Sequence, residues 1–271
     1  MARALVTVDL DGTLLKRGVF LPEAERFLQR LRKAGHLLAV NTGRLPAGFA
    51  LEAARRVDPQ GLHLFSDGAL LSDSLGRIRE GASLSPATAR RALRMIRRLG
   101  LRAELHTLRG TRHYLPGHAP EDLDEHVART GTPIFPAAAE RLERTRLVAV
   151  WLVGLTPEDW SEVRREPLGP VRVETYGSPE GPVFVGVKPR DRHKGTGLRS
   201  LARFHELPLE ATVMVGDGLN DVGGLEAAGL GIAVGNGDEA ALRAADRVVA
   251  PADAGGLEEA ADLILQTFGR A

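Results

Sequence analysis

The sequence predicts an α/β fold: a doubly wound domain on a parallel sheet, interrupted by an inserted α+β segment. Three observations lead there. Four apolar runs of four or five residues, Ala4–Val8, Leu37–Val40, Thr212–Val215 and Gly231–Val234, have the length and composition of strands buried on both faces. Helical patterns separate or follow them, which is the rhythm of a parallel sheet with crossover helices. Between about Gly81 and Lys188 that rhythm breaks into a helix, strand-like runs, and helix and strands again.

The elements follow in order. After the first run, Pro22 to Ala34 places Ala24, Phe27, Leu28 and Leu31 on one helical face, and Gly35 supplies a stop. Within the insertion, Ala87 to Gly100 is amphipathic. Ala89, Leu93, Ile96 and Leu99 form its apolar face, and Arg90, Arg91, Arg94, Arg97 and Arg98 occupy the other. Leu147–Val153 reads as a strand. Val171–Tyr176 and Val183–Val187 read as a hairpin around Gly177-Ser178-Pro179-Glu180-Gly181-Pro182. Further helices are expected over Lys194–Glu206, Asp221–Ala228, Asp238–Ala245 and about Leu257–Thr267. The expected layout is therefore discontinuous, with a core from 1–80 and 189–271 and an inserted α+β domain over 81–188.

Composition narrows the function. The chain has 271 residues, enough for about two domains at roughly 150 residues each. Lys+Arg 36 against Asp+Glu 35 excludes a strongly basic nucleic-acid binder. No run approaches the ~18 apolar residues of a membrane helix, and the N-terminus runs straight into a strand without a leader pattern. The absence of Cys removes disulfides, thiolate metal sites and a cysteine nucleophile, and a cytoplasmic location is the expectation. Only four of the basic residues are Lys (Lys16, Lys33, Lys188, Lys194), so a retained lysine is informative where the chain otherwise uses Arg. From Pro86 to His118 there are eight Arg and one Glu, which reads as a solvated face that could also steer anions.

Ligands of open α/β sheets bind beyond the carboxyl ends of the strands, and the chemistry-bearing residues fall there. The first strand ends in Asp9-Leu10-Asp11-Gly12-Thr13, the second in Asn41-Thr42-Gly43-Arg44. The strand 212–215 ends in Gly216-Asp217-Gly218-Leu219-Asn220-Asp221, and the helix before it opens with Lys194-Gly195. In an extended segment Asp9 and Asp11 point to the same side. Carboxylates crowded there repel unless a cation separates them or one holds a proton. A hard divalent ion with oxygen ligands, magnesium above all, fits. A carboxylate can attack phosphorus, and a second can act as acid and base. Thr42, the Gly43 amide, Asn220 and Lys194 can bind phosphoryl oxygens.

These motifs resemble the haloacid dehalogenase (HAD) superfamily of aspartate-nucleophile phosphatases. They are most similar to the Cof-type subfamily, which has a large α/β cap between its second and third motifs. Ala233-Val234-Gly235-Asn236-Gly237 and Ala245-Asp246 continue the likeness. The resemblance implies a Rossmann-like HAD core with an inserted α+β cap. It implies Asp9 as nucleophile and metal ligand, and Asp11 as general acid/base, ligating through its main-chain carbonyl. Asp217 would ligate Mg2+ with Asp221 behind it, and Leu10, Thr42, Gly43, Lys194 and Asn220 would bind the phosphate. It also implies a small phosphorylated metabolite (sugar phosphate or phosphorylated cofactor) as substrate, with neither nucleic acid nor membrane as partner. Oligomeric state is unspecified. A phosphomutase and a non-catalytic phospho-ligand-binding module are the alternatives. Two positions depart from the subfamily: Asp67-Gly68 stands where Asn-Gly is usual, and Val222-Gly223-Gly224-Leu225 where a Met often follows the final Asn-Asp. Asp67 alone reads as a turn former.

Overall fold

The computed structural model describes residues 3–120, 123–177 and 182–269. The chain divides into two compact units, one formed by Met1–Glu80 with His193–Ala271 and the other by Gly81–Arg192.

The first unit is organised by a five-stranded parallel sheet. Its order is Arg247–Val249, Leu230–Val234, Thr212–Gly216, Leu5–Val8, Leu37–Val40. Leu5–Val8 is an interior strand, between Thr212–Gly216 and Leu37–Val40, buried along its whole length because both faces are covered. The helix Pro22–Lys33 forms as the pattern dictates. Pro22 starts it, Glu23 and Glu25 lie in its first turn, and Arg30, Arg32 and Lys33 in its last, complementing the helix dipole. Ala24, Phe27, Leu28 and Leu31 are buried, each large side chain contributing roughly 1.5–3 kcal/mol. Arg26 and Arg30 reach Glu258 and Asp262 on the final helix, Leu257–Phe268.

The structure adds elements that the apolar runs do not announce. A three-stranded sheet of Leu62–Phe65, Leu70–Asp73 and Ile78–Gly81 extends from the edge strand Leu37–Val40. The junction is an Asn41–Leu64 bridge and a Thr42 N–H bond to the Leu64 carbonyl at 3.0 Å. Its strands are short and carry the buried polar residues His63 and Ser72, so neither a clean alternation nor an apolar run marks them. The helix expected over Asp221–Ala228 is shorter, a 3-10 turn Leu219–Asp221 followed by Val222–Leu225. Gly223 and Gly224 weaken a helix, and Gly223 packs so closely that a Cβ would lie 2.5 Å from His193 Nδ1.

The second unit is built differently. Its six-stranded sheet has the order Ile134–Pro136, Arg112–Tyr114, Arg102–Thr107, Leu147–Val153, Pro182–Pro189, Val171–Gly177, antiparallel except for its first pair. The last two strands form the expected hairpin, although Ser178–Gly181 of its loop lie outside the described residues. Alternation splits the sheet into two faces. Ala103, Leu105, Val150, Leu152, Val185 and Val187 join Leu93 and Ile96 of the helix Pro86–Leu99 in one core. Glu104, His106, Trp151 and Lys188 belong to the other face. There Arg112 grips Glu104 with two bonds of 2.5 and 2.7 Å, and Lys188 pairs with Glu174 while its Nζ sits 4.4 Å from the Trp151 ring centre.

His63 makes the first unit sensitive to acid. Its Nδ1 accepts from the Val40 N–H at 3.2 Å, and its Nε2 donates to the Asp58 carbonyl at 2.9 Å. The bond from Val40 needs the neutral ring, because a protonated Nδ1 cannot accept, and burial lowers its pKa from 6.5 to about 4. The unfolded chain takes up this proton first as pH falls, so the stabilisation is full above pH 6.5 and drains away as pH falls toward 4. At ~1.4 kcal/mol per pH unit, roughly 2–3 kcal/mol is lost by pH 4.5. Urea unfolding at pH 7 and pH 4.5 checks this: His63→Asn, which retains an acceptor near Val40, is expected to lose clearly less than the wild type, and equal losses would refute the assignment.

Candidate active site

Asp9 sits one residue beyond the central strand Leu5–Val8, with its N–H bonded to the Val215 carbonyl at 2.9 Å. Asp217 sits one residue beyond the neighbouring strand Thr212–Gly216. Parallel in-register pairing of these strands brings the two carboxylates together. Asp221 follows from the 3-10 turn and is fully buried. One oxygen from each of Asp9, Asp217 and Asp221 lies within 4.8 Å of the others.

Lys194, the first residue of the helix Lys194–Phe204, inserts its ammonium among them. The side chain is completely buried, and Nζ is 2.5 Å from Asp9 Oδ1 and 2.5 Å from Asp221 Oδ1. Burial alone would lower its pKa, but the charges of Asp221, Asp9 and Asp67 outweigh this and hold it above the ordinary value. A cation at a helix N-terminus is opposed by the dipole, so the carboxylates are what keep it there.

One ammonium does not balance the site. Burial, with Asp221 and Asp217 nearby, holds the Asp9 carboxyl well above the usual range despite Lys194. Burial raises Asp217 to about 6 even though the Thr13 hydroxyl donates to it at 2.8 Å. Carboxylates that resist ionisation while sharing one small space are the donor set a hard divalent cation neutralises. The residues present fit such an ion.

The surrounding loops are tied by short bonds. Asp221 Oδ2 accepts from the N–H groups of Asp217 and Gly218 at 3.0 and 2.8 Å, so this carboxylate also organises the loop. Asn236 bridges the loops, donating to the Gly12 carbonyl and accepting from Ala252 N–H, both at 2.8 Å. Thr42 is buried, its hydroxyl accepting from Arg44 N–H at 3.3 Å. Gly43 lies beside Asn220, whose Nδ2 would be 3.5 Å from a Cβ placed there. Leu10 is buried, and its carbonyl closes the turn by accepting from Leu15 N–H at 2.7 Å.

Asp11 stands apart from the three-carboxylate cluster. Its carboxylate turns to Arg44, which holds it by two bonds of 2.6 and 2.8 Å. Arg44 therefore makes an ion pair with Asp11. Sequence reasoning gave no site role to Thr13 or Asn236, and read Asp67 only as a turn former, which it is, between Leu62–Phe65 and Leu70–Asp73. For Thr13 a signal existed in the Asp-x-Asp-Gly-Thr run, whereas the contacts of Asn236 and Asp67 join segments more than 150 residues apart.

Two parallel strand ends, each carrying an aspartate, with a buried lysine between them, invite comparison with known proteins. The family model for haloacid dehalogenase-like hydrolases matches residues 6–260. The chain belongs to this family. The phosphatase YwpJ of Bacillus subtilis is 28% identical over 282 aligned residues, covering 93% of this chain and 96% of that protein. The pyridoxal phosphate phosphatase YbhA of Escherichia coli is 28% identical over 268, covering 92% and 94%. Among solved structures, a Thermotoga maritima protein superimposes with a TM-score of 0.81 at 19% identity, over 97% of each chain, a likeness of fold. No helix among the described residues of this hydrolase is long and apolar enough to cross a membrane.

Gly12 is required by this geometry. Its φ is +90°, and a Cβ would lie 2.0 Å from Asp217 Oδ2. Gly18, at φ +78°, has nothing within 4 Å of the same position. Gly18→Ala should therefore cost only the conformational penalty, about 1–2 kcal/mol. Gly12→Ala should cost at least about 1 kcal/mol more, through displacement of Asp217. Denaturant midpoints of the two variants measure the difference, and equal losses would remove the contact from the account.

Proposed function

We propose that this hydrolase is a magnesium-dependent phosphatase that acts on a small phosphorylated metabolite through an aspartyl-phosphate. The observation that carries the reading is the buried Asp9 carboxylate, held 2.5 Å from Lys194 Nζ and clustered with Asp217 and Asp221 at the ends of the central parallel strands.

The nucleophile is Asp9. It forms an Oδ–P bond as the ester P–O bond breaks. Asp11 gives its proton to the departing oxygen, and later takes one from the water that cleaves the acyl phosphate and releases orthophosphate. Because Arg44 holds Asp11 in two bonds, Asp11 must leave or share that pair when it carries a proton. Lys194, Thr42, the Gly43 and Leu10 amides and Asn220 bind the phosphoryl oxygens as charge moves onto them. Asp9, the Asp11 carbonyl, Asp217 and Asp221 would hold a magnesium ion, whose charge would neutralise the carboxylates and polarise the phosphoryl group.

The catalytic unit is the one made from both chain ends, and the insertion selects the leaving group. The names of the relatives support a sugar phosphate or a phosphorylated cofactor as substrate: YbhA acts on pyridoxal phosphate, and YitU of Bacillus subtilis, 25% identical over 262 residues, on 5-amino-6-(5-phospho-D-ribitylamino)uracil. A cytoplasmic setting goes with such substrates and with a chain free of cysteine.

The test is orthophosphate release from an aryl phosphate and a panel of phosphorylated sugars and cofactors. Turnover is expected with magnesium and absent with EDTA. Asp9→Asn should lower it by roughly three orders of magnitude or more. Asp9→Asn at wild-type rate would refute the nucleophile assignment. An isomerised phospho-sugar without released phosphate would make the enzyme a mutase.

A further inference from the structure

The turn Ser66-Asp67-Gly68 joins the strands Leu62–Phe65 and Leu70–Asp73 and touches three of the site's loops. Ser66 N–H bonds to the Arg44 carbonyl at 2.8 Å, and Asp67 N–H to the Thr42 carbonyl at 3.0 Å. Gly68 lies on the start of the Lys194 helix, where a Cβ would come within 2.7 Å of the His193 carbonyl. Asp67 Oδ1 accepts from Asn220 Nδ2 at 2.8 Å. All three turn residues have positive φ, two of them without being glycine: Ser66 at 49° and Asp67 at 53°. Such conformations persist only where the surroundings hold them, and here the three neighbouring loops do so.

Asp67 is almost completely buried, at 1% exposure. Its carboxylate is acceptor-only when ionised, so the group of Asn220 that faces it must be the NH2. The other end of the amide, Oδ1, is thereby turned to Gly218, where a Cβ would sit 2.8 Å from it. Nδ2 is left between Asp67 and the Thr42-Gly43 loop. One of its hydrogens is used by Asp67, whose carboxylate oxygens also lie beside Gly43, 3.2 and 3.4 Å from a Cβ placed there. With the amide reversed, an oxygen lone pair would meet both Asp67 and any phosphoryl oxygen.

We infer that Asp67 is a positioning residue, which fixes Asn220 so that its amide donates toward the phosphoryl group. The inference rests on the phosphatase reading for the identity of that group. An asparagine at position 67 could present either end of its own amide, so the carboxylate fixes the orientation more strictly.

A double-mutant cycle between positions 67 and 220 tests this on the full chain with magnesium present. The readouts are the Kd for inorganic phosphate by calorimetry, and KM and kcat for an aryl phosphate. Asp67→Ala should raise Kd and KM together by about tenfold, with kcat changed less than about twofold. Asp67→Asn keeps an oxygen acceptor and should recover most of the loss. In the Asn220→Ala background, Asp67→Ala should add less than about twofold. A merely structural turn residue would cost the same in both backgrounds, and that result would overturn the inference, as would an unchanged Kd in Asp67→Ala. If the wild type binds phosphate but does not turn over the ester, the phosphatase reading falls, and the cycle on Kd still decides the role of Asp67.

Discussion

A single buried ammonium among several carboxylates is the interaction on which the first unit depends. Lys194 is fully enclosed, and its partners Asp9 and Asp221 come from opposite ends of the chain. An unpaired buried charge is very costly, whereas a paired one is tolerated when its hydrogen bonds are met. The loops around it satisfy that condition: Asp221 accepts from two backbone N–H groups as well as from Lys194, and Asp217 accepts from Thr13. The carboxylates still outnumber the ammonium, and their crowding is the donor set that a divalent cation would neutralise.

The rest of the first unit serves that placement. A parallel sheet in register puts the ends of Leu5–Val8 and Thr212–Gly216 side by side. The edge strand Leu37–Val40 delivers Thr42 and Gly43, and the small antiparallel sheet beyond it delivers Asp67. The second unit has another logic. Its antiparallel sheet spends one face on a helix-backed core and leaves the other to charged and aromatic side chains.

Part of this was legible in the residues alone. The apolar runs announced the central strands, and the helix Pro22–Lys33 has the proline start, terminal charges and buried face that its pattern implies. The three short strands around Asp67 were not legible, because buried His63 and Ser72 interrupt their pattern; His63 is held by the Val40 N–H of another strand, and Ser72 by the carbonyl of the adjacent Asp73. The helix after Asp221 was read too long, because two glycines chosen for close packing against His193 and Met214 also weaken a helix.

For the site the division is similar. The sequence by itself determined which residue types stand at the strand ends, because a strand's termination and the alternation of its side chains are local properties. It therefore named Asp9, Asp11, Thr42, Gly43, Lys194, Asp217, Asn220 and Asp221 as neighbours. Only the tertiary structure decided how each is held: Lys194 between Asp9 and Asp221, Asp11 turned to Arg44, and Asn220 tied to Asp67. Those pairings are set by long-range register and by the need to compensate buried charge. Both depend on segments far apart in the chain, which no local pattern encodes.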